Sequence, residues 1–150
     1  MPGGSGSGTL AADTAALTID ALRAYLDDLT AANGLLADEE FSNERLTAAR
    51  LRAIDRWNST PPFRTSYEVL TFPSTYVYCW TRLAAAEALR SAAFNYARNQ
   101  LPYNAGGVTV DDKNKSEIYV TLSQLEESEG VSLMHRIKLA LDASQSFFYL

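Results

Sequence analysis

The sequence of 150 residues holds one cysteine and one histidine. A single cysteine, Cys79, excludes an intrachain disulfide framework. The lone His135 sits in a helical pattern, far from Cys79, so no nucleophile and base stand at motif spacing. Positive charge is also scarce: 13 basic residues against 18 acidic ones leave a net charge of −5. That argues against a general nucleic-acid-binding surface, which needs clustered Lys and Arg to displace counterions. No run is long and apolar enough to span a bilayer, because Arg82, Glu87, Arg90 and Arg98 interrupt the most apolar one, from Tyr76 to Gln100. The first residues, MPGGSGSGTLAAD, lack the basic and apolar regions of a secretory signal. Gly106-Gly107 has no G-x-x-x-x-G-K-[ST] around it, so it reads as backbone freedom and not as a phosphate loop.

What remains is helix-forming sequence. A hydrophobic fraction of 47% is enough for one domain with a real core. Residues 1–17 read as a flexible Gly/Ser-rich arm, 18–144 as the helical domain and 145–150 as an apolar tail. The predicted fold is mainly α, a bundle of about four helices. The first runs from Ile19 to Leu29 with Thr18 as N-cap and an apolar stripe of Ile19, Leu22, Leu26 and Leu29. The second starts at N-cap Ser42, buries Leu46, Ala49, Ala53 and Trp57, and stops before Pro61-Pro62. The third begins near Pro73 and reaches about Gln100. Its alanines make it small and apolar over most of its circumference, which marks the central helix. The fourth starts near Asp112 and reaches Ser144 or beyond, with Ile118, Leu122, Leu125, Leu133, Ile137 and Leu141 as its stripe and a kink or break possible at Gly130. Arg136 and Lys138 suit the C-terminal end of its dipole. No heptad pattern persists long enough for a coiled coil.

Between the last two helices lies an elaborate corner, RNQLPYNAGGVTVDDKNK. Pro102 and Gly106-Gly107 reverse the chain, and Val108 and Val110 form an extended piece. The alternating stretch TSYEVLTF, Thr65–Phe72, is the strand it would pair with in a small hairpin-like element. The acidic groups Asp27-Asp28, Glu39-Glu40, Asp111-Asp112 and EESE at 126–129 read as solvated or capping carboxylates, and no metal ligand set is assigned. Cys79 reads as a packed small hydrophobe. Arg50, Arg52 and Arg56 read as a solvated face, or as ion-pair contacts to a neighbouring subunit. The ending SQSFFYL either folds back on the core or docks on a partner.

Two stretches, RWNSTPPF at 56–63 and ALRSAAFNYARNQLPYNAGGVTVDDKNK at 88–115, resemble in order and spacing the small virion structural proteins of tailed bacteriophages, of the head-tail connector or neck-adaptor type. The resemblance covers about residues 19–142. It implies a non-enzymatic helical adaptor without cofactor, made in the host cytoplasm and placed in the virion neck. It implies a homo-oligomeric ring, commonly of twelve subunits, between the portal protein and the next neck or tail protein. DNA would pass through the lumen without specific binding, and no membrane is involved. The contact elements implied are Leu101, Pro102, Tyr103, Gly106, Gly107, Val108 and Val110 of the corner, with Phe147, Phe148, Tyr149 and Leu150 of the tail. The competing readings are a small helical regulatory or protein-binding module and another phage head or tail component.

Overall fold

A computed structural model describes residues 13–29, 39–62, 64–98 and 112–148. Four α-helices follow one another: α1 Ile19–Tyr25, α2 Asn43–Ser59, α3 Val77–Arg98 and α4 Asp112–Phe148, with a short 3-10 turn, Ser74–Tyr76, leading into α3. Among the described residues there is no strand. The mainly helical bundle with a long C-terminal helix is therefore as expected.

The caps are the ones the sequence marks. The Thr18 side chain accepts from Ala21 N at 3.0 Å, and Ser42 Oγ accepts from Arg45 N at 3.1 Å. α1 is shorter than its periodicity predicts. Asp27 turns left-handed at φ 55°, Asp28 N–H returns to Arg23 O and Asp27 N–H to Ala24 O. These two bonds make a Schellman stop, with aspartate in the place that glycine usually takes. Leu29 consequently falls outside the helix and is exposed, while Leu22 is fully buried. The Gly/Ser composition extends the arm to residue 17, yet Ala15 and Leu17 are buried and Asp13 pairs with Arg50 at 2.9 Å. Packing starts no later than Asp13.

The segment Thr65–Phe72 is not a strand, and the reason lies in one side chain. The Asn58 amide donates to Tyr67 O at 2.9 Å and accepts from Tyr67 N at 3.1 Å. A single asparagine thus satisfies the extended backbone that a partner strand would otherwise satisfy. Its expected partner, Val108 and Val110, lies outside the described residues. The end of this segment drops Phe72 between Trp57 and Trp80, at ring-centroid distances of 5.3 and 4.8 Å. Tyr76 stacks on Trp57 at 5.4 Å. Burying each tryptophan stabilises the fold by roughly 2–3 kcal/mol over leaving it in water. Trp80 Nε1 finds the Arg50 carbonyl at 3.0 Å, so its one polar group is not stranded.

α3 is the central helix, with Leu83, Ala84, Ala85, Ala86, Ala88, Ala92 and Ala93 all buried. Its main partner is α4, 37 residues or about 55 Å long. The two run antiparallel along a seam of small residues. Ser116 Oγ donates to Ala93 O at 3.2 Å, Ser123 Oγ to Ala86 O at 2.9 Å, and Cys79 Sγ to Gly130 O at 3.4 Å. Each step is seven residues on both helices, so the contacts recur along one line. Gly130 causes no break. A Cβ there would stand 3.0 Å from Leu83 Cδ2 and 3.3 Å from Arg82 Cβ, so glycine serves the close approach of the helices.

Beyond the α3 N-terminus, α4 continues over the end of α2. Lys138 is fully buried there, and because α4 runs on to Phe148 it does not serve the C-terminal end of that helix's own dipole. Its ammonium donates to Trp57 O and, at 2.5 Å, to Thr60 O, while lying 5.3 Å from the Trp57 ring centroid. It caps the carbonyls that the last turn of α2 leaves open. Burial pulls its pKa below the ordinary lysine value.

Gly130→Val should destabilise the protein by roughly 1–3 kcal/mol through overpacking against α3. Gly130→Ala should stay within about 1 kcal/mol, because the gain in helix propensity offsets the tight contact. Urea unfolding of both variants checks this, and a stable valine variant would mean that α3 and α4 lie further apart.

Candidate interaction surface

The seam fixes how α4 is turned. With Ser116, Ser123 and Gly130 facing α3, residues on the far side of the helix face outward. Those are Ile118, Leu122 and Leu125, exposed at 57%, 41% and 52%. The expected core stripe of α4 is therefore wrong in its first half. Further along, Leu133 and Ile137 do pack against the core, with Met134 fully buried beside them. The outward strip begins beside Glu117, which is exposed and in no ion pair among the described residues. One turn past Leu125 the same face carries Glu129, whose side chain is half exposed.

A second surface lies between α2 and α3. A groove of about 580 Å³ is lined by Arg45 and Arg52 from α2 and by Glu87, Arg90, Ser91, Phe94, Asn95 and Arg98 from α3. Phe94 is 69% exposed. It stands on a ridge, because it also lines a cleft of about 430 Å³ on the α4 side, with Val120 and Gln124. Arg45, Arg52 and Arg98 take part in no ion pair among the described residues. In a chain of net charge −5, this puts an uncompensated basic cluster beside an exposed aromatic ring.

Arg90, the remaining groove cation, is compensated. Glu127 of α4 accepts from Arg90 and, at 2.8 Å, from Arg56 of α2, so one carboxylate ties three helices. Burial opposes ionisation of Glu127. The Arg56 hydrogen bond and the charges of both arginines outweigh it, and the pKa falls below its ordinary 4.5. Glu126 and Glu129 of the same acidic run both pair with Arg82, two carboxylates on one guanidinium. The run is thus an interhelical clamp and not a set of solvated carboxylates.

Other charged residues depart from expectation likewise. Arg50 is buried and donates to Asp13 and to Leu17 O at 2.9 Å, while Arg52 stays exposed and Arg56 holds Glu127. Asp28 is buried. It pairs with buried Arg23 at 2.9 Å and accepts from Glu40 N and Phe41 N, at 2.6 and 2.8 Å. Glu40 accepts from Tyr96 OH and pairs with Lys115 at 3.4 Å. Cys79 is buried as expected, and burial pushes its thiol up to about 12. Among the described residues, no three His, Cys, Asp or Glu side chains group as metal ligands.

Of the contact residues named from sequence, Leu101, Pro102, Tyr103, Gly106, Gly107, Val108 and Val110 lie outside the described residues, as do Tyr149 and Leu150. Phe147 and Phe148 belong to the last turn of α4. The surfaces the geometry brings forward are different ones. Periodicity assigns Ile118, Leu122 and Leu125 to the core, and it gives Phe94 and Arg98 no role. Their only signal is that the small residues Ser116, Ser123 and Gly130 repeat every seven positions, which claims the opposite face for packing. The chain matches no protein-family model, no curated protein and no solved structure.

Stability should hold above about pH 5 and fall as pH drops. Glu127 is held ionised in the fold, so the unfolded chain takes up its proton first, near pH 4.5, and stability is lost until the lower folded pKa is passed. Asp13 behaves alike below its ordinary 3.8: burial is outweighed by N–H donors from Ile19 and Ala15 and by Arg50. Glu127→Gln should flatten the upper part of this acid slope, which thermal melts at stepped pH will measure; an unchanged slope would remove Glu127 from the clamp.

Proposed function

We propose that this chain is a non-enzymatic structural subunit of a tailed-bacteriophage virion, a neck adaptor that forms a ring between the portal and the following neck or tail protein. The observation that carries the assembly part is the outward apolar strip of α4. Three large apolar side chains in a row on one helix face, with Phe94 exposed on another surface, are unfavourable in a lone subunit and useful in an assembled one. The placement in the neck rests on the resemblance of residues 56–63 and 88–115 and on a helical body of the kind such adaptors have.

The chemistry of the surface is in keeping with this role. Arg45, Arg52 and Arg98, not ion-paired among the described residues, gather in one groove of a chain that is acidic as a whole. A net charge of −5 per subunit opposes tight phosphate contacts, which suits a ring through which DNA passes. The corner from Leu101 to Asp112 and the tail residues Phe147, Phe148, Tyr149 and Leu150 are proposed as the parts that reach the portal and the next neck protein.

The test is the copy number of the chain in purified particles of its source, by quantitative mass spectrometry against labelled peptide standards. About a dozen copies per particle are expected. Hundreds would move the protein to the shell or tail. Absence from particles would leave the small helical protein-binding module as the better account.

A further inference from the structure

We infer that the groove between α2 and α3 receives the outward strip of α4 from a second copy of the chain, in a head-to-tail contact. The inference deepens the assembly reading above and rests on it only for the closure of the contact into a ring.

Three features of the two surfaces argue for this occupant. The first is charge. The groove offers Arg45, Arg52 and Arg98, none of them ion-paired among the described residues. The strip offers Glu117 at one end, exposed and likewise unpaired. At its other end Glu129 is half exposed and shares Arg82 with Glu126, which leaves one negative charge in excess there. Glu127, by contrast, is fully matched by Arg56 and Arg90 and faces away from the strip. The surplus acids of the strip therefore suit the surplus cations of the groove.

The second feature is apolar content. Phe94 beside the groove is exposed, and Ile118, Leu122 and Leu125 supply a ridge of i, i+4, i+7 anchors, the pattern by which a helix enters a groove. The third is topology. The strip is on the side of α4 turned away from α3, and the groove opens on α3 itself, so one chain cannot bring its own two surfaces together. The contact is heterologous, and repeated heterologous contacts close into rings when the rotation allows. Nucleic acid is the weaker occupant. The cluster is three arginines around a phenylalanine, with Glu87 in the same wall, in a chain of net negative charge.

The test uses the full chain. Arg52→Glu and Glu117→Arg change exposed side chains that hold no ion pair among the described residues, and sedimentation of each variant reads self-association. Either reversal alone should weaken association by at least about 10-fold, and the two together in one chain should restore most of it. Cross-linking gives the geometry. Chains carrying Leu122→Cys are mixed with chains carrying Ser91→Cys and treated with a short bis-maleimide. The mixed dimer should dominate over either homodimer.

A dominant Leu122→Cys homodimer would replace the head-to-tail contact by a two-fold one and overturn the proposal. So would additive losses in the charge pair, or a protein that stays monomeric at millimolar concentration. Loss of single-stranded DNA binding by Arg52→Glu, with self-association intact, would give the groove to nucleic acid instead. The two readings fail separately. A dozen copies per particle without the mixed cross-link keeps the ring and rejects these faces, whereas the mixed cross-link in a protein absent from particles keeps the faces and rejects the neck.

Discussion

The close packing of α4 on α3 through small residues is the constraint on which the rest of the molecule depends. Ser116, Ser123 and Gly130 meet Ala93, Ala86 and Cys79 at seven-residue intervals. Serine hydroxyls there bond to carbonyls of the facing helix, so polar side chains are buried without leaving a group unsatisfied. Leucine at these positions would push the helices apart. Because the small face is turned inward, the large apolar side chains of the first half of α4 are turned out. The same register brings Glu127 over Arg56 and Arg90, and sets Lys138 on the carbonyl end of α2. Core packing, interhelical charge and exposed surface thus share one cause.

Much of this fold is legible from residues alone. Thr18 and Ser42 announce their helices because a hydroxyl before an apolar run can take an orphan N–H. Pro61-Pro62 stops α2, and the alanine density of α3 marks the helix that others surround. The failures are equally physical. The periodicity of Ile118, Leu122 and Leu125 is genuine, but periodicity says that a face is apolar and not whether the protein's own core covers it. A search for heptads of leucine overlooks a heptad made of serine and glycine. TSYEVLTF alternates as a strand does, and no local rule reveals that the Asn58 side chain will stand in for its partner.

Charge is the least legible feature. Arg50, Asp28, Glu40 and Lys138 look like surface residues, because burial of a charge depends on partners distant in sequence. Once paired, they act as cross-braces: Arg23–Asp28 holds the start of α2, and Arg50–Asp13 holds the chain entering α1. Removing one partner would strand a buried charge. The charges outside these braces are informative in turn. Arg45, Arg52 and Arg98 gather on one surface, while Glu117 and the second carboxylate on Arg82 mark the two ends of another.

The central claim is the rotation of α4, with Ser123 inward and Leu122 outward. Thiol reactivity measures it directly, since Cys79 is buried and its thiolate is disfavoured. Leu122→Cys and Ser123→Cys are each treated with Ellman's reagent in dilute protein, where copies do not cover one another. The account predicts that Leu122→Cys reacts at nearly the rate of a free thiol, and Ser123→Cys at least ~100-fold more slowly, through opening of the α3–α4 seam. Fast reaction at position 123 with protection at 122 would contradict it, and would return the Ile118, Leu122 and Leu125 stripe to the core.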